Sequence, residues 1–354
     1  MTTGALIGYL LVPLFGVFLY IAPLVSRPTV QFGVRVPPAH ISAAVIRRER
    51  RDFQWRSAIV AICATAAVIA VGGHQAWQSR LILIVEFVAD LGCFWLAHRR
   101  ITKVKAAENW FAGQRQTVVA DTSWRAQPQP FPIEWLLPAV AVIVATVIIG
   151  IVRYPHLPAH LDRSGHRVAT SPVSAFTVVV GQLYVTGLWT WVLALVYRSR
   201  PDLDTADPAG SLRSYRRALS AVARAMLIML ACVDLTLLLA ALRLWQIWRV
   251  SGGAAALVAL PAGLGLIAVL TTSVLAGRAR ARTAVTAGAV DRDDDRFWKG
   301  GFAYVNRDDP AVMVGSRAGF GWTPNLGNPA TWLFIAGLVT VVAALVIIRF
   351  AVGL

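Results

Sequence analysis

Charge is scarce in this chain. Only 15% of its residues are charged against a hydrophobic fraction of 57%, which excludes an ordinary soluble globular protein. Cysteine is rarer still: Cys63, Cys93 and Cys232 are odd in number and sit in apolar stretches. That excludes a disulfide framework and marks them as small apolar residues. Residues 1–3 carry no basic side chain, and the first apolar run ends at Arg27 without a small-x-small pattern, so no cleaved signal peptide is expected. Several catalytic signatures are missing as well. There is no Walker A loop, no His-Glu-x-x-His pair and no Gly-x-Ser-x-Gly elbow. Acids number 18 against 34 Lys and Arg, for a net charge of +16. The positive residues lie beside the ends of apolar runs, where anionic headgroups attract them, and no nucleic-acid module accompanies them.

What the chain has in abundance is long apolar sequence. Eight stretches, at roughly 4–26, 57–73, 81–97, 134–152, 174–197, 218–242, 253–277 and 332–348, are apolar enough to span hydrocarbon. Separated runs of this length predict helices rather than barrel strands. The expected fold is all-α, a polytopic membrane bundle of about eight helices.

Basic residues occupy every second gap. The gaps 27–56, 98–133, 198–217 and 278–331 carry 7, 6, 5 and 8 of them, whereas 74–80, 153–173, 243–252 and the tail from 349 carry 1, 3, 2 and 1. Only Arg224 falls inside a span. The positive-inside rule then predicts both termini outside and the basic loops in the cytoplasm. Trp55, Trp77, Trp95, Trp135, Trp245, Trp248 and Trp332 lie near span ends and are expected to form an interfacial belt.

These spans predict an N-terminal three-helix unit over 1–97, a Pro-rich cytoplasmic linker over 98–133 and a four-helix unit over 134–277. A cytoplasmic loop module follows over 278–331, with a final helix in 332–354. Within the module, Phe302–Val305 and Ala311–Val314 flank Asn306-Arg307-Asp308-Asp309-Pro310, a short hairpin signal. Asp291, Asp293 and Asp295 begin like a calcium loop, but Arg296 stands where glycine is needed and Phe302 where the bidentate Glu belongs, so that site is rejected.

Buried charge is the more informative feature, because an Asp at the bilayer centre costs about 2.5–3.5 kcal/mol even on insertion scales. Glu86 and Asp90 are four apart on one face of the third span; Arg224 and Asp234 belong to the sixth. Arg224 is close enough to the cytoplasmic side to snorkel. The three acids read either as hydrogen-bonded structural groups or as an ion, proton or ligand path. The loop 153–173 holds His156, His160, Asp162, Gly165 and His166. Three imidazoles and a carboxylate suit a pH-responsive surface or zinc, but Pro155 and Pro158 break the helix that would stack His156 over His160. A structural cap on the bundle is the simpler reading, and no metal or other cofactor is expected.

Three blocks carry a resemblance. Phe32-Gly33-Val34-Arg35-Val36-Pro37 and the Leu157-Pro158-x-His160-x-Asp162-x-x-Gly165 loop resemble bacterial multipass proteins of unknown function related to the SdpI toxin-immunity family. A third block contains Tyr304, Asn306, Asp308, Asp309 and Pro310, followed by Gly319-Phe320-Gly321-Trp322-Thr323-x-Asn325-x-x-Asn328-Pro329. It is similar to an uncharacterised C-terminal module of such proteins. The resemblance implies a bacterial cytoplasmic-membrane protein without established enzymatic activity. In the SdpI branch it implies protection against a membrane-active peptide coupled to sequestration of a regulator. The long middle linker and the C-terminal module depart from that branch. The expected function is therefore a non-enzymatic sensor or immunity protein meeting a peptide or lipid at its outer loop and a regulator in the cytoplasm; the alternative is a proton- or ion-coupled transporter using Glu86, Asp90 and Asp234.

Overall fold

The computed structural model describes residues 12–13, 15–23, 26–71, 76–112, 116–117, 129–163, 166–199, 201, 203, 207–248, 257–283, 290–291, 293–317, 321–337 and 339–340. Six long helices dominate: α1 (Ala44–Val71), α2 (Ala76–Ala107), α3 (Leu137–Arg153), α4 (Pro172–Tyr197), α5 (Pro208–Leu244) and α6 (Leu260–Thr283). Among the described residues, six helices are long and apolar enough to cross a membrane, which makes the chain a helical membrane bundle. Ile59, Ile62, Ile69, Ile84, Val85 and Val88 all turn outward, a surface that calls for hydrocarbon. The first and last of the eight expected spans are described only as helical residues 12–13 and 15–23 and as helical residues 329–337 and 339–340. Their remainders lie outside the described residues.

Local chemistry sets the helix ends. At α5, Asp207 Oδ1 accepts from the Gly210 amide at 2.9 Å while Pro208 takes the first helical position, so the sharp start is written in the sequence. At α4, Ser171 Oγ accepts from the Ser174 amide at 3.1 Å. The C-terminal stops of α2 and α5 use left-handed Asn109 (φ 46°) and Gln246 (φ 55°). These let Trp110 N–H reach Lys105 O at 3.2 Å and Ile247 N–H reach Leu242 O at 2.9 Å. Helix α1 begins thirteen residues before the expected span and α2 runs ten residues beyond its own, so the opening part of the supposed linker 98–133 is helix. The physical reason is that basic residues with good helix propensity extend a helix beyond hydrocarbon.

Among the described residues, ten short strands decorate the connections: β1 (Val30–Gln31), β2 (Val34–Arg35), β3 (Gln116–Thr117), β4 (His160–Arg163), β5 (His166–Ala169), β6 (Val290–Asp291), β7 (Trp298–Lys299), β8 (Ala303–Tyr304), β9 (Met313–Gly315) and β10 (Trp322–Pro324). All the two-stranded pairings are antiparallel except β3 with β6, which is parallel. The expected hairpin between 302–305 and 311–314 does not form. Instead β8 pairs with β7 and β9 pairs with β10. A three-residue turn with Gly300 and Gly301 at φ 62° and 83° closes the β7–β8 hairpin. Side chains in the intended turn satisfy its own backbone: Asn306 Oδ1 accepts the Asp308 amide and Asp309 Oδ1 the Ala311 amide, each at 3.0 Å.

The chain divides into two compact units. The first comprises Met1–Pro130, Leu195–Val222 and Leu270–Asn328; the second comprises Phe131–Ala194, Ala223–Val269 and Pro329–Leu354. In the first unit Phe32, Val34 and Val36 pack with Ile46, Phe53, Ala97, Ile101 and Trp110. Trp298, Tyr304 and Val314 form a smaller cluster in the loop module. In the second unit Trp245 is 2% exposed, and its Nε1–H donates to Ala175 O at 3.1 Å. It is a core residue rather than the interfacial anchor expected, because that carbonyl satisfies its indole N–H. Trp55, Trp77, Trp95, Trp135 and Trp332 are exposed as expected.

Candidate functional site

In the first unit Glu86 and Asp90 lie on one face of α2, as their spacing predicts, and are 1% and 2% exposed. Asp90 Oδ1 accepts from the Ser57 hydroxyl of α1. Its Oδ2 and both carboxyl oxygens of Glu86 have no hydrogen-bond partner among the described residues. Glu86 faces helical residues 15–23: a Cβ built on Gly16 would stand 3.1 Å from Glu86 Oε1 and collide with the Ala61 side chain. Glycine is what lets that segment approach α1 beside the acid. Carboxyl oxygens buried without donors must hold a proton or meet a cation.

The second unit holds a different polar knot. Asp234 on α5 is buried, and its Oδ2 accepts from Thr186 Oγ1 of α4 at 2.7 Å. Gln182, one turn away on α4, is also buried; its Nε2 donates to Thr146 Oγ1 of α3 at 3.0 Å and to the Asp234 carbonyl at 2.9 Å. Three helices therefore meet at four polar side chains. Asp234 Oδ1 and Gln182 Oε1 have no hydrogen-bond partner among the described residues. Arg224 has no acid partner among the described residues: it is exposed, with its guanidinium 6.0 Å from the Trp135 ring centroid, consistent with a snorkelling cation over an aromatic face.

The loop 153–173 is built rather than irregular. A 3-10 turn spans Tyr154–His156, and β4 and β5 pair from His160↔Ala169 to Arg163↔His166 with Leu161 turned into the core. His156 and His160 are exposed. Pro155 and Pro158 keep the two out of a common helix, as the sequence implies. Gly165 and the side chains of Asp162 and His166 lie outside the described residues. No group of three metal-ligating side chains occurs among the described residues.

In the loop module the predicted residues converge on a scaffold. Tyr304 OH donates to Asp309 Oδ2 at 2.9 Å and accepts from Asn306 Nδ2 at 3.1 Å. Asn325 is completely buried and acts as a hub. Its Nδ2 donates toward the carbonyls of Asn306, Asp309 and Ala311 at 2.8, 3.0 and 3.1 Å, and its Oδ1 accepts the amides of Asn306 and Gly327 at 3.0 and 3.1 Å. Trp322 Nε1–H donates to Tyr215 OH at 3.1 Å, and Tyr215 in turn bonds Ser199 at 2.7 Å. These bonds fold the module.

Sequence reasoning missed an ionic cluster in this unit. Lys105 Nζ meets Asp293 Oδ2 at 2.8 Å and Asp295 Oδ2 at 2.6 Å. Arg317 Nη1 donates to Asp295 Oδ1 at 2.6 Å and to Gly33 O at 3.1 Å, and Nη2 bonds Asp294. Arg35 adds its amide to Asp295 Oδ1 at 2.9 Å and its guanidinium to Asp294 at 3.3 Å. Burial pushes the Asp295 carboxyl up, but Arg317, Lys105 and the Arg35 amide together hold it below the usual carboxylate range. Beside the cluster, Gly33 (φ 77°) packs on the Gly301 backbone so closely that any Cβ would overlap it. The available signal was the acidic run itself, placed in the most basic gap of the chain. Residues from all four basic gaps belong to the first unit.

No protein family, no curated protein and no solved structure matches the chain. Function must therefore be argued from these side chains.

Proposed function

We propose that this chain is a multipass protein of a bacterial cytoplasmic membrane that carries protons or a coupled ion through its intramembrane acids, Glu86, Asp90 and Asp234. The observation that supports this most is Glu86, buried with both carboxyl oxygens lacking a donor among the described residues. A structural carboxylate would be surrounded by donors, whereas a transported proton needs an acceptor left free for it. Asp90 extends the path toward Ser57 on α1. On this reading eight helices cross the bilayer, both termini lie outside, and the basic gaps, with the module around Trp298 and Asn325, face the cytoplasm.

Proteoliposomes carrying an interior pH-sensitive dye test the idea. An imposed pH gradient is expected to collapse faster with the wild-type protein than with Glu86→Gln or Asp90→Asn. Equal rates for all three proteins and for empty vesicles would remove the carrier reading.

A second reading, an SdpI-like immunity or sensing protein, is favoured by the β4–β5 hairpin, an ordered element that presents exposed His160. It predicts that joint substitution of His160 and Asp162, at constant expression, abolishes protection against a membrane-active peptide. Unchanged tolerance would end it.

A further inference from the structure

The polar knot of the second unit has a feature that protonation of a lone acid does not require. Gln182 Nε2 sits between Thr146 Oγ1 and the Asp234 carbonyl. The carbonyl can only accept, and the Thr146 hydroxyl already donates to Val142 O at 2.8 Å. Both neighbours of Nε2 therefore need donors, which fixes the amide orientation and leaves Oε1 as the free end. Thr186 likewise spends its hydroxyl proton on Asp234 Oδ2. What remains is two oxygens with lone pairs and no donor among the described residues, Gln182 Oε1 and Asp234 Oδ1. Gln182, Asp234 and Thr146 are each 0% exposed.

We infer that Thr146, Gln182, Thr186 and Asp234 form a binding site for a small dehydrated monovalent cation of sodium size, ligated by Asp234 Oδ1 and Gln182 Oε1. Oxygen-only donors select a hard cation. One carboxylate among neutral oxygens balances one positive charge, so a divalent ion would remain unneutralised in hydrocarbon. The site gathers α3, α4 and α5, and its ion would tie the three helices together.

This deepens the carrier reading by naming a coupling ion, and rests on that reading only for what the ion drives; binding itself is an equilibrium property. The test is thermal unfolding of purified protein in detergent, followed by tryptophan fluorescence. Sodium chloride is exchanged for choline chloride at constant ionic strength and fixed pH, with potassium chloride as the size control. The unfolding temperature is expected to rise with sodium concentration and to respond less to potassium. Asp234→Asn and Gln182→Met should each weaken the apparent sodium affinity by at least about tenfold. Gly92→Ala, with open space around it and in the other unit, should retain the wild-type sodium response. A wild-type protein indifferent to sodium, or a sodium response unchanged in both site variants, overturns the inference. Run in sodium-free vesicles, the pH-gradient assay on Glu86→Gln tests the carrier proposal separately, so such a failure would leave it standing. Misfolded variants are identified by loss of a single sharp size-exclusion peak, and the site variant that keeps this peak then carries the comparison.

Discussion

Arg317 offers the sharpest test of how the loop module is held. Its guanidinium is buried over the Trp298 ring, 4.7 Å from the centroid, and bonds Gly33 O, Asp294 and Asp295 at once. Replacing it by Met keeps much of the packing and removes the charge and the fork. Breaking a buried ion pair typically costs about 3–5 kcal/mol. Here Asp294 and Asp295 keep 26% and 21% side-chain exposure, and Lys105 and Arg35 remain beside them, so the lower range of about 2–4 kcal/mol is expected. At about 1.4 kcal/mol per tenfold, local opening should become roughly 30- to 1000-fold more frequent. Hydrogen exchange at the Val305 and Asn325 amides, which donate to Phe297 O and Val312 O, reads that frequency directly. Arg317→Lys should fall in between, since an ammonium keeps the charge without the bidentate geometry. Exchange accelerated by less than about threefold in Arg317→Met would show that the cluster does not hold the module, and the reasoning would fail.

Three further outcomes follow from the same structure. Asp295 has its carboxyl held below the ordinary value in the folded protein, so its contribution is complete above the unfolded pKa of about 4 and is lost as pH falls through the folded one. Exchange in the module should therefore accelerate in acid, with a smaller pH dependence in Asp295→Asn. Gly33→Ala should destabilise the first unit by about 1–3 kcal/mol, through positive φ and collision with Gly301, whereas Gly92→Ala, with open space around it, should be neutral or mildly stabilising in the same melting assay. Trp245→Phe should lower stability by about 1–2 kcal/mol through its lost bond to Ala175, while Trp332→Phe, exposed, should leave the melting temperature nearly unchanged.

The long helices were legible because apolar runs of bilayer length leave few alternatives. Their ends were less so. Asp207 and Pro208 mark the start of α5 explicitly, but they lie eleven and ten residues before the apolar run on which the expected span was drawn. Glu86 and Asp90 could be placed on one face by counting residues, whereas Ser57 as a partner and Gly16 as a neighbour depend on helix packing that no local pattern encodes. The fate of Trp245 turned on one carbonyl seventy residues away in sequence. Strand pairing in the module failed for the same reason: apolar alternation locates short strands, but Asn325 and the Gly300-Gly301 turn choose their partners. Asp291–Asp295 drew attention as a cation loop, and the cations proved to be the chain's own, supplied from positions 35, 105 and 317.

That last arrangement bears on biosynthesis. Arg35 and Lys105 emerge from the ribosome long before Asp293, Asp294 and Asp295 exist to neutralise them. The ion pairs that join these segments can therefore form only after the late segment has been made. The acids that stabilise the finished protein thus act late, closing the first unit only when most of the chain exists.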